Sequence, residues 1–99
     1  MPQAPAEITY LPQVECTVQT GMLNTVIVGI ADEDCNYQFL RVGAGSVTAE
    51  GEKTYLPIGI VELDRRKRRA LVELPVEADS GARRIWVPFD RFRPVGEYP

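Results

Sequence analysis

Arg65, Arg66, Lys67, Arg68 and Arg69 follow one another directly after Asp64. Arg83 and Arg84 form a second basic pair, and Trp86 stands two residues beyond it. Residues of these types suit anion recognition. Guanidinium groups donate paired hydrogen bonds to phosphate or carboxylate oxygens, and clustered cations gather the charge of a nucleic acid backbone. A neighbouring Trp offers a ring on which a base stacks, or an anchor for a protein interface. A plainer role competes with these: a basic run between two strands is also what a solvated hairpin tip looks like, its cations discouraging stray edge pairing. Arg65, Arg66, Lys67, Arg68, Arg69, Arg83, Arg84 and Trp86 are therefore the candidate partner-binding residues.

Other chemistry is poorly supported. The chain has no histidine, which removes the commonest general base and every Ser-His or Cys-His arrangement. Cys16 and Cys35 form no Cys-x-x-Cys pair and have no histidine to complete a metal set, so no metal site is expected. Both read as reduced thiols. Cys16 fits a core position, and Cys35 follows two acids, which disfavours a thiolate nucleophile there. Asp32, Glu33 and Asp34 cluster, as do Glu77 and Asp79, but turn acids are ordinarily solvated, and the first cluster lacks the spaced ligands of a calcium loop. Ser80 has no base to activate it. The segment Gly43–Ser46 lacks the Lys-Ser/Thr ending of a phosphate-binding loop. No catalytic residue, cofactor or small-molecule substrate is implied, and the expected class is non-enzymatic.

Ninety-nine residues with a net charge of −3 suit one small domain. The charge is uneven. Up to Glu62 eight acids stand against Arg41 and Lys53, near −6; from Leu63 nine cations stand against six acids, near +3. A molecule with one basic face is the expectation. The first residues lack both the basic and the apolar segments of a signal peptide, and no run is long enough for a transmembrane segment; the cytoplasm is the expected location.

The elements that must position these residues are strands. "VECTVQT" alternates, with Val14, Cys16 and Val18 on one face. "NTVIVGIAD" is a β-branched run with a bulge expected at Gly29. "YQFLRV" alternates with either Tyr37 and Phe39 or Leu40 and Val42 inward. Gly51 marks a turn, and Pro57 marks a strand start or an edge. "RALVELPV" turns Ala70, Val72, Leu74 and Val76 inward. "RIWVPF" places Ile85, Val87 and Phe89 opposite Trp86. A short turn capped by Asp90 should follow. No segment sustains helical periodicity. The fold class is all-β, a small antiparallel barrel or rolled sheet of about six strands, SH3-like in scale. Residues 1–12 should form an extended arm, 13–95 the domain and 96–99 a frayed tail.

"IGIVELDRRKRRALVELPV" followed by "RRIWVPFDRFRPV" resembles the PRC-barrel family. Gly59 before a strand, the turn led by Asp64, the strand Ala70 to Val76 and Val87-Pro88 carry the likeness, mainly over residues 58–95. The resemblance implies a compact six-stranded barrel used to bind proteins, and it brings no catalytic residues. Protein binding or self-association through the basic hairpin face is the leading expectation. Binding of RNA or DNA through the same arginines is the alternative, with an anionic lipid head group a further possibility.

Overall fold

The computed structural model describes residues 10–95. The expected arm lies outside the described residues up to residue 9, and the expected tail, 96–99, lies outside them as well. Tyr10, Leu11 and Pro12 belong instead to the first strand. The fold is all-β and antiparallel. Among the described residues nine strands run in the order β1 (Tyr10–Thr20), β2 (Thr25–Ala31), β3 (Tyr37–Gly43), β4 (Thr48–Glu50), β5 (Lys53–Pro57), β6 (Gly59–Asp64), β7 (Arg69–Glu73), β8 (Arg84–Pro88) and β9 (Phe92–Pro94). Two 3-10 turns, Ala44–Ser46 and Phe89–Arg91, precede β4 and β9. The count exceeds six because the long β1 recruits the short strands β5 and β9, and β5 in turn pairs with β4, all too brief to show an alternation of their own.

The first sheet has the order β3-β2-β1-β5-β4, with β9 added to β1. Eleven residues let β1 serve several partners in succession: Gln13 to Cys16 pair with β5 and Thr17 to Thr20 with β2. The second sheet is β6-β7-β8. The chain passes from the first sheet to the second at Ile58, whose amide donates to the Pro12 carbonyl at 3.0 Å. Pro57 thus ends a strand rather than starting one, and the apparent run "TYLPIGIVEL" is two strands in two sheets.

One apolar cluster joins the sheets. Val14, Val28, Ile30, Leu40 and Leu56 meet Ala70, Val72, Leu74, Ile85 and Val87 in it, and most are wholly inaccessible. Burying side chains of this size stabilises by about 1.5–3 kcal/mol each, which is why alternation sets the faces. Of the two registers open for β3, Leu40 and Val42 point inward. Val18 and Val76 do not join the core, each being 38% exposed; β7 ends at Glu73, so the alternation stops before Val76, which lies in the bend that follows. Phe89 is half-buried, packing 6.2 Å from the Tyr10 ring.

Gly29 makes no bulge; the register with β3 passes through it unbroken, and that with β1 reaches it without a shift. A Cβ there would lie 2.7 Å from Thr17 Oγ1 and 2.9 Å from a Phe39 ring carbon. The glycine is needed because Tyr37 and Phe39, stacked 6.0 Å apart, lie across it on the sheet's outer face. The bulge is in β6 instead, where Ile60 pairs with Val72 but Glu62 pairs with Leu71. Asp90 does not cap the second 3-10 turn. It lies inside the turn, and the capping position is Pro88.

Candidate functional site

The basic run divides on folding. Arg65, Arg66, Lys67 and Arg68 form the β6–β7 hairpin loop, while Arg69 is the first residue of β7. Asp64 starts the turn, accepting the Lys67 amide at 3.2 Å, and Arg68 completes it in a left-handed conformation, φ 53°. The Arg68 carbonyl accepts the Phe89 amide at 2.9 Å, and its guanidinium lies 5.8 Å from the Phe89 ring centroid. Arg65, Arg66 and Lys67 are exposed and make no ion pair among the described residues.

Arg69 is committed to the protein itself. Asp64 is its direct cross-strand partner, and Nε donates to Asp64 Oδ2 at 3.1 Å. The far nitrogen Nη1 donates to both Glu33 carboxylate oxygens, at 2.7 and 2.6 Å. The guanidinium also lies 4.1 Å from the Trp86 ring centroid, a cation–π contact. Glu33 is held in place by its own amide, which donates to the Trp86 carbonyl at 2.9 Å. One guanidinium therefore ties β6, β7 and β8 to the β2–β3 loop. The hydrogen bond from the Lys67 amide, followed by that from Arg69, holds the Asp64 carboxyl below its ordinary range, and the Glu33 carboxylate raises the Arg69 guanidinium.

Arg84 sits elsewhere. Its cross-strand partner is Glu73, to which Nε donates at 3.2 Å, at the opposite end of β7 from Arg69. Four residues at ~3.3 Å each separate the two ends by about 13 Å. Arg83 precedes β8 at that same far end, its carbonyl accepting the Leu74 amide at 2.8 Å. Arg84, Trp86 and Arg69 do share the outer face of the second sheet, since their partners alternate with the buried Val72 and Ala70. The structure thus does not gather the eight predicted residues at one point. Arg65, Arg66 and Lys67 occupy the tip, Arg68 lies over the Phe89 ring beside them, Trp86 lies partly shielded beneath Arg69, and Arg83 and Arg84 stand apart.

The feature missed from the sequence is β6 itself. Ile60, Val61 and Leu63 are 44%, 43% and 48% exposed. Ile60 and Leu63 pair with the buried Val72 and Ala70, so they point to the inner side of the sheet, where no core covers them. β6 has β7 on one side and no strand on the other among the described residues. Other edges are partly occupied: the Glu33 amide bonds to β8 at Trp86, and the Asp79 amide bonds to β3 at Phe39. The signal was the broken alternation of Ile60-Val61-Glu62-Leu63, which fits neither a half-buried strand nor a helix.

A hollow of about 250 Å³ on the first sheet is lined by Glu15, Thr17, Gly29, Tyr37, Lys53 and Arg91. Within it Glu15 accepts from Lys53 at 3.3 Å and from Arg91 at 3.5 Å. Among the described residues no cluster of His, Cys, Asp and Glu has the geometry of a metal site. Nor is any helix long and apolar enough to cross a membrane. Compared with known proteins, the chain matches no family model, no curated protein and no solved structure.

Proposed function

We propose that this chain is a non-enzymatic protein-binding module of the cytoplasm and that its contact surface is the β6–β7 hairpin. One observation carries the reading: among the described residues β6 presents Ile60, Val61 and Leu63 to solvent on a strand with a single neighbour, next to four cations, Arg65 to Arg68, without acidic partners. Exposed apolar side chains along a strand edge are a liability unless something covers them. Charge at one end of such a patch orients a partner and speeds its approach. The PRC-barrel resemblance of residues 58–95 supports the same reading, since it implies a small barrel that binds proteins. The apolar strip is what favours protein over nucleic acid, because phosphate recognition has no use for Ile60 and Leu63.

The test is selection of displayed random peptides on the wild-type protein and on a variant carrying Ile60→Thr and Leu63→Thr. Labelled RNA and duplex DNA are titrated in parallel at low and physiological salt. Peptides retained by the wild type and lost by the variant support the reading. Identical selections would overturn it. So would nucleic acid binding that falls steeply with salt and is abolished by Arg65→Ser, Arg66→Ser and Lys67→Ser, which would put phosphate in place of the protein partner.

A further inference from the structure

We infer that the partner is an extended acidic-apolar segment of another protein that adds as an antiparallel strand to the free edge of β6. This rests on the protein-binding reading and goes beyond it by naming the occupant and its geometry. An edge strand offers a row of backbone donors and acceptors, and a peptide added there gains affinity from the main chain and specificity from alternate side chains. Each strand pairing among the described residues is antiparallel, so an added strand continues the existing pattern.

Charge decides which strand fits. Arg65, Arg66 and Lys67 lie just past the end of β6. In the antiparallel sense, the N-terminal end of the incoming segment lies beside them. That end should be acidic, and the residues after it, which run along Ile60 to Leu63, should be apolar.

A second copy of this chain fits poorly. Symmetric pairing of β6 with itself centred on Val61 places Ile60 against Glu62; centred on Glu62 it opposes two carboxylates; centred on Leu63 it opposes Glu62 to Asp64. Like charges directly opposite one another destabilise a ladder. None of these registers brings a carboxylate to Arg66 or Lys67.

The probe is a labelled synthetic peptide of three acidic residues followed by alternating Val and Thr, titrated against the intact protein by fluorescence anisotropy. The expected result is saturable binding, with slowed amide exchange in β6. Methylating alternate backbone nitrogens of the peptide on its pairing edge should weaken binding at least about tenfold, the effect of losing some 1.4 kcal/mol. Replacing its acids by lysine, or changing Arg65, Arg66 and Lys67 to Glu in the protein, should do the same. The tip triple variant involves only exposed loop residues, so its fold should survive. Equal binding by methylated and unmethylated peptides would overturn strand addition. Failure of the peptide while hairpin-dependent ligands still emerge from selection would also overturn it, leaving the protein-binding reading standing. Absence of any hairpin-dependent ligand would remove both. A concentration-dependent dimer lost on Ile60→Lys and Leu63→Lys would replace the partner by a second copy.

Discussion

The Arg69 guanidinium lies 4.1 Å from the Trp86 ring centroid while donating to Asp64 on one side and Glu33 on the other. Two residues expected at the contact surface are thus engaged within the chain, with each other and with two carboxylates. Arg69→Lys keeps the charge but loses the planar fork, so it cannot serve both carboxylates and the ring together. The expected outcome is a lower thermal midpoint and a red shift of Trp86 emission as the ring gains water, read by differential scanning fluorimetry and steady-state fluorescence. Arg65→Lys, at the free tip, should change neither.

The same contact sets a pH dependence. The Asp64 carboxyl is held below its ordinary value by the Lys67 amide and then by Arg69, so the folded state favours its ionised form. Its stabilising contribution is fully present above the unfolded value of about 4 and is lost as pH falls through the lowered folded value. Asp64→Asn should therefore narrow the stability difference between pH 7 and pH 3 in urea melts.

Leu40 and Leu63 have the same side chain in opposite surroundings, 0% and 48% exposed. Leu40→Ala should cost about 2–5 kcal/mol, since it removes buried methyl groups and leaves a cavity. Leu63→Ala should fall within about 0.5 kcal/mol of wild type. Urea denaturation measures both. A large loss at Leu63 would mean that β6 is covered by something within the chain.

Gly29→Ala should destabilise by about 1–3 kcal/mol, because the new Cβ meets Thr17 and the Phe39 ring and part of the outer face must move. Thr17→Ala in the same chain removes one of the two obstacles and should recover part of the loss.

The two cysteines should separate cleanly in alkylation. Cys16 is 7% exposed, and burial pushes its thiol upward, with only partial relief from the Thr54 hydroxyl. Cys35 is exposed at the β2–β3 turn. Iodoacetamide should label Cys35 under native conditions and Cys16 only at the rate of unfolding, as followed by peptide mass spectrometry.

Strand character and side-chain facing were legible along the chain wherever alternation was regular. Val14 and Cys16, Ala70 and Val72, and Ile85 and Val87 all turn inward as their period of two requires. The hairpin around the basic run was legible too, because Asp64 and the polar loop are local turn chemistry. Local pattern, however, carries no record of distance through space. It could not show that Arg84 pairs with Glu73 at the far end of β7, or that Glu33, 36 residues before Arg69, supplies its strongest partner. It could not show that Ile60 and Leu63 would point inward yet find no core.

The sequence by itself determined that this protein is built of antiparallel strands, which side chains are buried where alternation is regular, as in β7 and β8, and where the densest positive charge lies. Each follows from neighbours one or two residues apart. Tertiary structure alone decided which charges stay free. Arg69 became a clamp while Arg65, Arg66 and Lys67 remained available, because the docking of the β2–β3 loop beside β8 brought a carboxylate to Arg69 and, among the described residues, none to the other four cations of the run.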